Sequence, residues 1–262
     1  MGSSSVALPN GQSPDYTQNA LWDDNGNLVF YEADGIVYDN QGNVLLQFER
    51  VDPSDNLLKP IKGFTEFLIF PVPDACNEFY GVISYSHHTR SPSQFDAIYW
   101  CKLKVDFSSL STTILPANNS GEEIGVIEFE CESSERSTQN PEFQEYNSYF
   151  STLEVSKIQP DNKRKVFCVT PFCIMTFEAD QNGLHLLDGV NLTVNGFPQE
   201  VRPYNLRTEL EAYEKAENIF ELVIPYYSAS HQAGNLINAF SIITIDYNSI
   251  PIQYTQIDYS VP

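Results

Sequence analysis

The sequence holds only 4 histidines, and two are adjacent, in His87-His88-Thr89-Arg90, with Asp96 shortly after. Imidazoles exchange protons near neutral pH, and a guanidinium grips anions through a planar fork of donors. The group therefore has the makings of an acid–base or anion site, although the simpler reading is a polar loop between two strands. Tyr227-Ser228-Ala229-Ser230-His231-Gln232 repeats the mixture of imidazole, hydroxyls and phenol. Asp23-Asp24-Asn25-Gly26-Asn27 collects oxygen ligands of the kind Ca2+ takes, but no distal bidentate Glu follows at loop spacing. A plain hairpin turn is the expectation there, with no metal and no other cofactor. Hydrolysis of a glycosidic bond needs two carboxylates at a defined separation; among 35 acids the sequence singles out no pair. Gly-x-Ser-x-Gly, His-Glu-x-x-His and phosphate-cradling Gly loops are absent.

Five cysteines, Cys76, Cys101, Cys131, Cys168 and Cys173, form no Cys-x-x-Cys, so zinc is not expected. Cys101 and Cys131 continue the apolar alternation of their surroundings and read as buried thiols. One disulfide is left open, Cys168 with Cys173 or Cys76 with Cys101. The formal net charge of −21 disfavours nucleic acid and anionic lipid, whose phosphates require clustered Lys and Arg. No stretch approaches the roughly 20 apolar residues of a membrane-spanning helix. Met1-Gly2-Ser3-Ser4-Ser5 reads as an appended leader, with one domain expected over residues 6–262 and any export signal expected to be missing from this sequence.

Strands and turns must position whatever chemistry exists. Asn25-Gly26 is a strong hairpin signal, because a type I′ turn needs positive φ at both central residues. The phrase Asp24-Asn25-Gly26-Asn27 before Leu28–Tyr31 is nearly repeated as Asp39-Asn40-Gln41-Gly42-Asn43 before Val44–Phe48. With Ile36–Tyr38 between them, a meander is written in under thirty residues. Further runs with strand patterning are Glu66–Val72, Glu78–Ser86, Ala97–Phe107, Ile127–Cys131, Leu153–Ile158, Val166–Thr170, Cys173–Glu178 and Leu184–Leu187. Ile219–Tyr227, Phe240–Tyr247 and Ile252–Tyr259 complete them. Residues 205–218 are rich in helix formers, yet Thr208, Leu210 and Ala212 alternate with Glu209 and Glu211 ahead of a strong strand. A strand is expected.

The strands group into 18–58, 64–116, 124–190 and 204–260, a beat of about fifty residues with about four strands each. That is the texture of β-propeller blades. The fold class is therefore all-β, a propeller-like array of four-stranded antiparallel meanders, with a β-sandwich as the alternative.

"ALWDDNGNLVFYEADGIVYDNQGNVLLQF", preceded by Pro14-Asp15-Tyr16-Thr17, resembles the opening of N-terminal β-propeller domains in large secreted surface proteins of gliding bacteria, a group associated with type IX secretion. "LRTELEAYEKAENIFELVIPYY" and "NAFSIITIDYNSIPIQ" resemble a later blade of such proteins, without the Gly-rich hairpin turn that the family carries near Glu217-Asn218. Four groups are also fewer than six or seven blades, implying a small propeller or part of a larger protein. The resemblance implies an extracellular or cell-surface location. It marks blade turns and strands and names no catalytic centre.

The expected function is non-catalytic binding or adhesion, recognising a glycan or a protein; the alternative is a propeller glycoside hydrolase using paired carboxylates. Trp22, Tyr80, Tyr99, Trp100, Tyr226 and Tyr227 lie at strand ends or beside polar residues, as aromatic binding platforms do. The simpler reading of each is core. The segments holding His87, His88 and Arg90, and Tyr227 and His231, occupy equivalent places in the second and fourth groups, so they are expected on one rim as the ligand-binding loops. Asn118-Asn119-Ser120 and Asn191-Leu192-Thr193 match glycosylation acceptors, a pattern without meaning in a bacterial protein of this kind.

Overall fold

The two near-identical phrases fold into two near-identical turns. In the first, the Asp23 N–H donates to the Asn27 carbonyl at 2.9 Å and the Gly26 N–H to the Asp23 carbonyl at 3.0 Å. In the second, the same bonds run from Asp39 to Asn43 at 2.9 Å and from Gly42 to Asp39 at 3.1 Å. Gly26 and Gly42 sit at φ 78° and 88°, where a side chain would crowd the following carbonyl; Asn25 is not at positive φ, so the first turn is a hairpin turn but not the expected type I′. The computed structural model describes residues 9, 18–51, 58–61, 67–85, 96–118, 120–129, 152–170, 173–191, 210–229 and 236–260.

Those turns join β1 (Gln18–Trp22) to β2 (Leu28–Ala33) and β3 (Ile36–Asp39) to β4 (Val44–Gln47), and the four strands form one antiparallel sheet in the order β1-β2-β3-β4. Between β2 and β3 the chain reverses over Asp34 and Gly35, both at positive φ. Tyr31 then faces Tyr38 across the ladder, with rings stacked 4.9 Å apart, a pair that contributes roughly 0.5–1 kcal/mol. A two-stranded ladder, β5 (Glu49–Val51) and β6 (Leu58–Pro60), follows. It is tied back where the Phe48 N–H reaches the Gly35 carbonyl and the Ile61 N–H the Phe48 carbonyl, each at 2.9 Å.

The second sheet runs β10 (Ser111–Leu115), β9 (Asp96–Asp106), β8 (Glu78–Tyr85), β7 (Leu68–Pro71), with β11 (Gly125–Phe129) also paired to β9. Alternation along 97–107 places one face inside and one outside, and the structure differs. Trp100 and Lys102, on the face opposite Cys101 and Leu103, are buried as well. Phe107, predicted on the inner side, is 41% exposed. The reason lies in two glycines: a Cβ at Gly125 would stand 2.1 Å from the Trp100 indole, and one at Gly183 2.8 Å from it. Backbone therefore covers the ring closely, and the sheet buries both faces.

The third sheet is β12 (Thr152–Val155), β13 (Arg164–Val169), β14 (Cys173–Ala179), β15 (Leu184–Asn191), and the fourth β16 (Glu211–Ala216), β17 (Ile219–Ala229), β18 (Leu236–Asp246), β19 (Gln253–Ser260). Each follows chain order, as the first does. Phe167, Val169 and Ile174 of the third pack with Phe220, Leu222, Ile224, Ile243 and Ile245 of the fourth in one buried cluster. The helix-forming composition of 205–218 loses to this core. Over its described part, Leu210 is buried, Glu211 exposed and Ala212 half-buried, which is the period of a strand. In the turn between β16 and β17, Asn218 takes φ 58°, a conformation Asn tolerates.

No helix occurs among the described residues, so the all-β expectation holds, with four four-stranded meanders, the second extended by β11, and one two-stranded ladder. The chain divides into two compact units. The first comprises residues 1–85, 98–126 and 181–183, and the second 86–97, 127–180 and 184–262. β1 lies against β7 within the first, and β12 against β16 within the second.

Candidate functional site

The predicted rim residues His87, His88, Arg90 and His231 lie outside the described residues. Tyr227 stands in β17 with its backbone paired to Asn238, its side chain also outside. The topology does give the two segments matching positions. Residues 86–95 join the second strand of their sheet to the third, and residues 230–235 do the same in the fourth sheet. In the first and third sheets that connection takes only two residues, Asp34-Gly35, and three, 170–172.

For three of the six aromatics the simpler reading, core, holds. Tyr80, Tyr99 and Trp100 are all at most 5% exposed; Tyr80 is held edge-on by Trp100 and tilted against Phe70. Strand-end position and polar neighbours suggested accessibility, but the glycine-covered indole closes the site. Trp22 is 46% exposed, and the side chains of Tyr226 and Tyr227 lie outside the described residues.

The oxygens of the first turn are committed to the turn itself. Asp23 Oδ1 accepts the Asn25 and Asn27 N–H groups at 2.9 and 2.7 Å, and Oδ2 accepts Asn27 Nδ2 at 2.8 Å. Asp39 repeats the set with Gln41 and Asn43, and Asp106 does the equivalent with Ser108 and Ser109. Hydrogen bonds to the ionised form favour it. The Asn27 amide thus holds Asp23 below the usual carboxylate range, and the Ser108 hydroxyl does so for Asp106. Partial burial pushes Asp39 upward, but its Asn43 bonds outweigh this and leave it lowered. Among the described residues no group of three or more His, Cys, Asp or Glu is placed to hold a metal.

A cluster that the sequence reading missed lies in the second unit. Lys163 Nζ and Lys165 Nζ both reach Glu178, at 2.5 and 2.6 Å. Burial raises the Glu178 carboxyl, and the two ammonium groups more than offset that and leave it lowered. Lys165 also stands 5.5 Å from the Tyr247 ring centre. Tyr247 Oη bonds to Thr176 Oγ1 at 2.7 Å, and Tyr254 Oη donates to Asp188 Oδ2 at 2.6 Å. Burial raises both phenols above their ordinary range, with the Asp188 carboxylate adding to the rise at Tyr254. Protonated phenols and saturated charges tie the third sheet to the fourth. Such an arrangement braces a scaffold; it offers no poised proton donor near neutral pH. Lys163 precedes β13 and Lys165 lies within it, two residues on, but Glu178 as their shared partner required the pairing register.

The cysteines differ from both predicted pairings. Cys76, Cys101 and Cys168 are not in disulfides, whereas Cys173 is disulfide-bonded. Cys168 and Cys173 flank a tight connection in which the Thr170 N–H meets the Cys173 carbonyl at 2.9 Å. In the strand register Cys168 faces Met175, with Cys173 opposite Asn191. Cys101 is buried as expected, Cys168 is buried too and Cys76 is exposed, while Cys131 lies outside the described residues; burial pushes the Cys101 thiol up to about 12. Asn118, in the first glycosylation-like triplet, spends its amide on Ser120 and Glu122.

No protein-family model matches this chain, and no curated protein matches its sequence.

Proposed function

We propose that the protein is an exported, non-catalytic binding module in which meanders are arranged radially as propeller blades and a glycan or protein ligand is held by loops on one rim. The observation that carries the reading is the strand order. All four meanders run first to fourth strand in sequence, and the first strands adjoin within each unit, β1 with β7 and β12 with β16. Blades gathered around an axis bring their first strands together in this way. In such a blade the second-to-third connections share a rim, and the long ones, 86–95 and 230–235, belong to the second and fourth sheets. Polar loops on a braced scaffold are where binding function concentrates. The bond at Cys173 supports an oxidising compartment, and the net charge of −21 supports a ligand other than nucleic acid.

The test is a glycan and protein-partner array, followed by the combined Arg90→Ala, Tyr227→Ala and His231→Ala variant against the ligand found. Binding should weaken at least tenfold while the melting temperature barely changes. Unaltered affinity would remove the rim assignment.

A further inference from the structure

An asparagine followed by glycine can lose its side-chain amide without an enzyme. The glycine N–H gives up its proton, its nitrogen attacks the asparagine Cγ, and ammonia leaves from the resulting cyclic imide. Water then opens the ring to aspartate or to isoaspartate, in which the main chain runs through the side-chain carbon. Glycine carries no side chain to shield the nitrogen, so the protein around the pair decides the rate. Asn25-Gly26 and Asn182-Gly183 lie among the described residues, whereas Asn10-Gly11 and Asn195-Gly196 lie outside them.

The surroundings of the two described pairs differ. Asn25 and Gly26 are both exposed, and a Cβ at Gly26 would meet open space. The nitrogen is restrained by the turn bond from the Gly26 N–H to the Asp23 carbonyl at 3.0 Å. Solvent-exposed backbone bonds in a turn open at little cost, and the open space leaves room for the amide to swing over the nitrogen. Gly183, in contrast, is buried; a Cβ there would stand 2.8 Å from the Trp100 indole and 3.6 Å from the Ala117 carbonyl oxygen. The carbonyl of Gln181, one residue before the pair, accepts Lys102 Nζ at 2.6 Å. Releasing that turn would uncover the indole and break a hydrogen bond to a buried lysine. We infer that Asn25 is a site of spontaneous deamidation in the folded protein, while the packing of Gly183 protects Asn182.

The repeated phrase supplies an internal control. Gln41-Gly42 stands where Asn25-Gly26 does, with its turn bond at 3.1 Å, but the longer Gln side chain closes an imide ring far more slowly. At Asn25 either product adds a carboxylate beside Asp23 and Asp24. Aspartate leaves the main chain intact. Isoaspartate inserts a methylene into it and draws Asn27 out of register with Asp23, whose Oδ1 accepts the Asn27 N–H at 2.7 Å. The reaction concerns the turn between β1 and β2 alone, so it stands or falls independently of any ligand on the rim.

The experiment incubates the full chain, folded, at mildly alkaline pH and maps its peptides over time by mass and by an isoaspartate assay. Asn25 should convert at least about tenfold faster than Asn182, to a mixture of aspartate and isoaspartate with release of ammonia, while Gln41 keeps its amide. In urea, where neither pair keeps its surroundings, the two rates should converge. Conversion of Asn182 as fast as Asn25 in the folded chain would overturn the inference. So would retention of the Asn25 amide by the folded chain while the urea sample loses it.

Discussion

Asp23, Asp39 and Asp106 each work as a turn clamp, and acid should expose that role. Their folded pKa values are depressed, so their stabilisation is present above the unfolded value near 4 and is lost as pH falls through the folded values. Melting temperature should therefore decline below about pH 4. Changing all three to Asn should flatten that decline while costing little at pH 7, since an amide oxygen still accepts the backbone N–H groups. An unchanged acid limb in the triple variant would refute the assignment. The phenols predict the opposite limb. Tyr247 and Tyr254 are raised, so their contribution is full below the ordinary phenol value near 10 and fades as pH rises above it. Tyr254→Phe should cost about 1 kcal/mol and reduce the alkaline loss, read by urea unfolding at pH 8 and pH 11. Only the turn role was partly legible in sequence. The doubled Asp-x-x-Gly-Asn phrase announced the two turns, but oxygen ligands for a cation and oxygen acceptors for a turn are the same atoms, and only the bond lengths separate the uses. Asp188 and Tyr254 are 66 residues apart, and no local pattern connects them.

At the scale of elements, two glycines with similar φ separate backbone conformation from packing. Gly26→Ala meets open space at φ 78° and should cost only the left-handed penalty, about 1–2 kcal/mol. Gly35→Ala, at φ 82°, would place its Cβ 2.0 Å from the Ile61 carbonyl oxygen, adding overpacking of about 1–3 kcal/mol. Denaturant unfolding should rank the pair with Gly35→Ala clearly the worse; equal losses would mean that the β5–β6 ladder is not held against this turn. Element type and order were the most legible level, because turn chemistry and period-2 alternation are local. The β9 region shows where that stops: alternation cannot show that Trp100 is covered by the backbone at Gly125 and Gly183 or that Lys102 Nζ donates to the Gln181 carbonyl. The opposite case is 211–216, where helix-forming residues lie in a strand because Leu210 joins the core formed with β17 and β18.

For the whole molecule, an excess of acid over base, 35 to 14, predicts that DNA and anionic vesicles are not retained at physiological salt, which a sedimentation assay would check. The repeat of about fifty residues made the four meanders readable in advance, but β11, grouped with the third, pairs with β9 of the second, and β5–β6 form a ladder apart from the first; such pairings depend on contacts between distant strands that no local spacing encodes. The candidate loops were legible as polar interruptions between strands and no further, since a ligand is recognised by three-dimensional convergence. The central claim is radial assembly of the meanders, and a crystal structure of the full chain tests it most directly. The account predicts β1, β7, β12 and β16 lining one common axis, with residues 86–95 and 230–235 emerging on the same rim. Two sheets facing each other across a single core, with those loops at opposite ends, would contradict it.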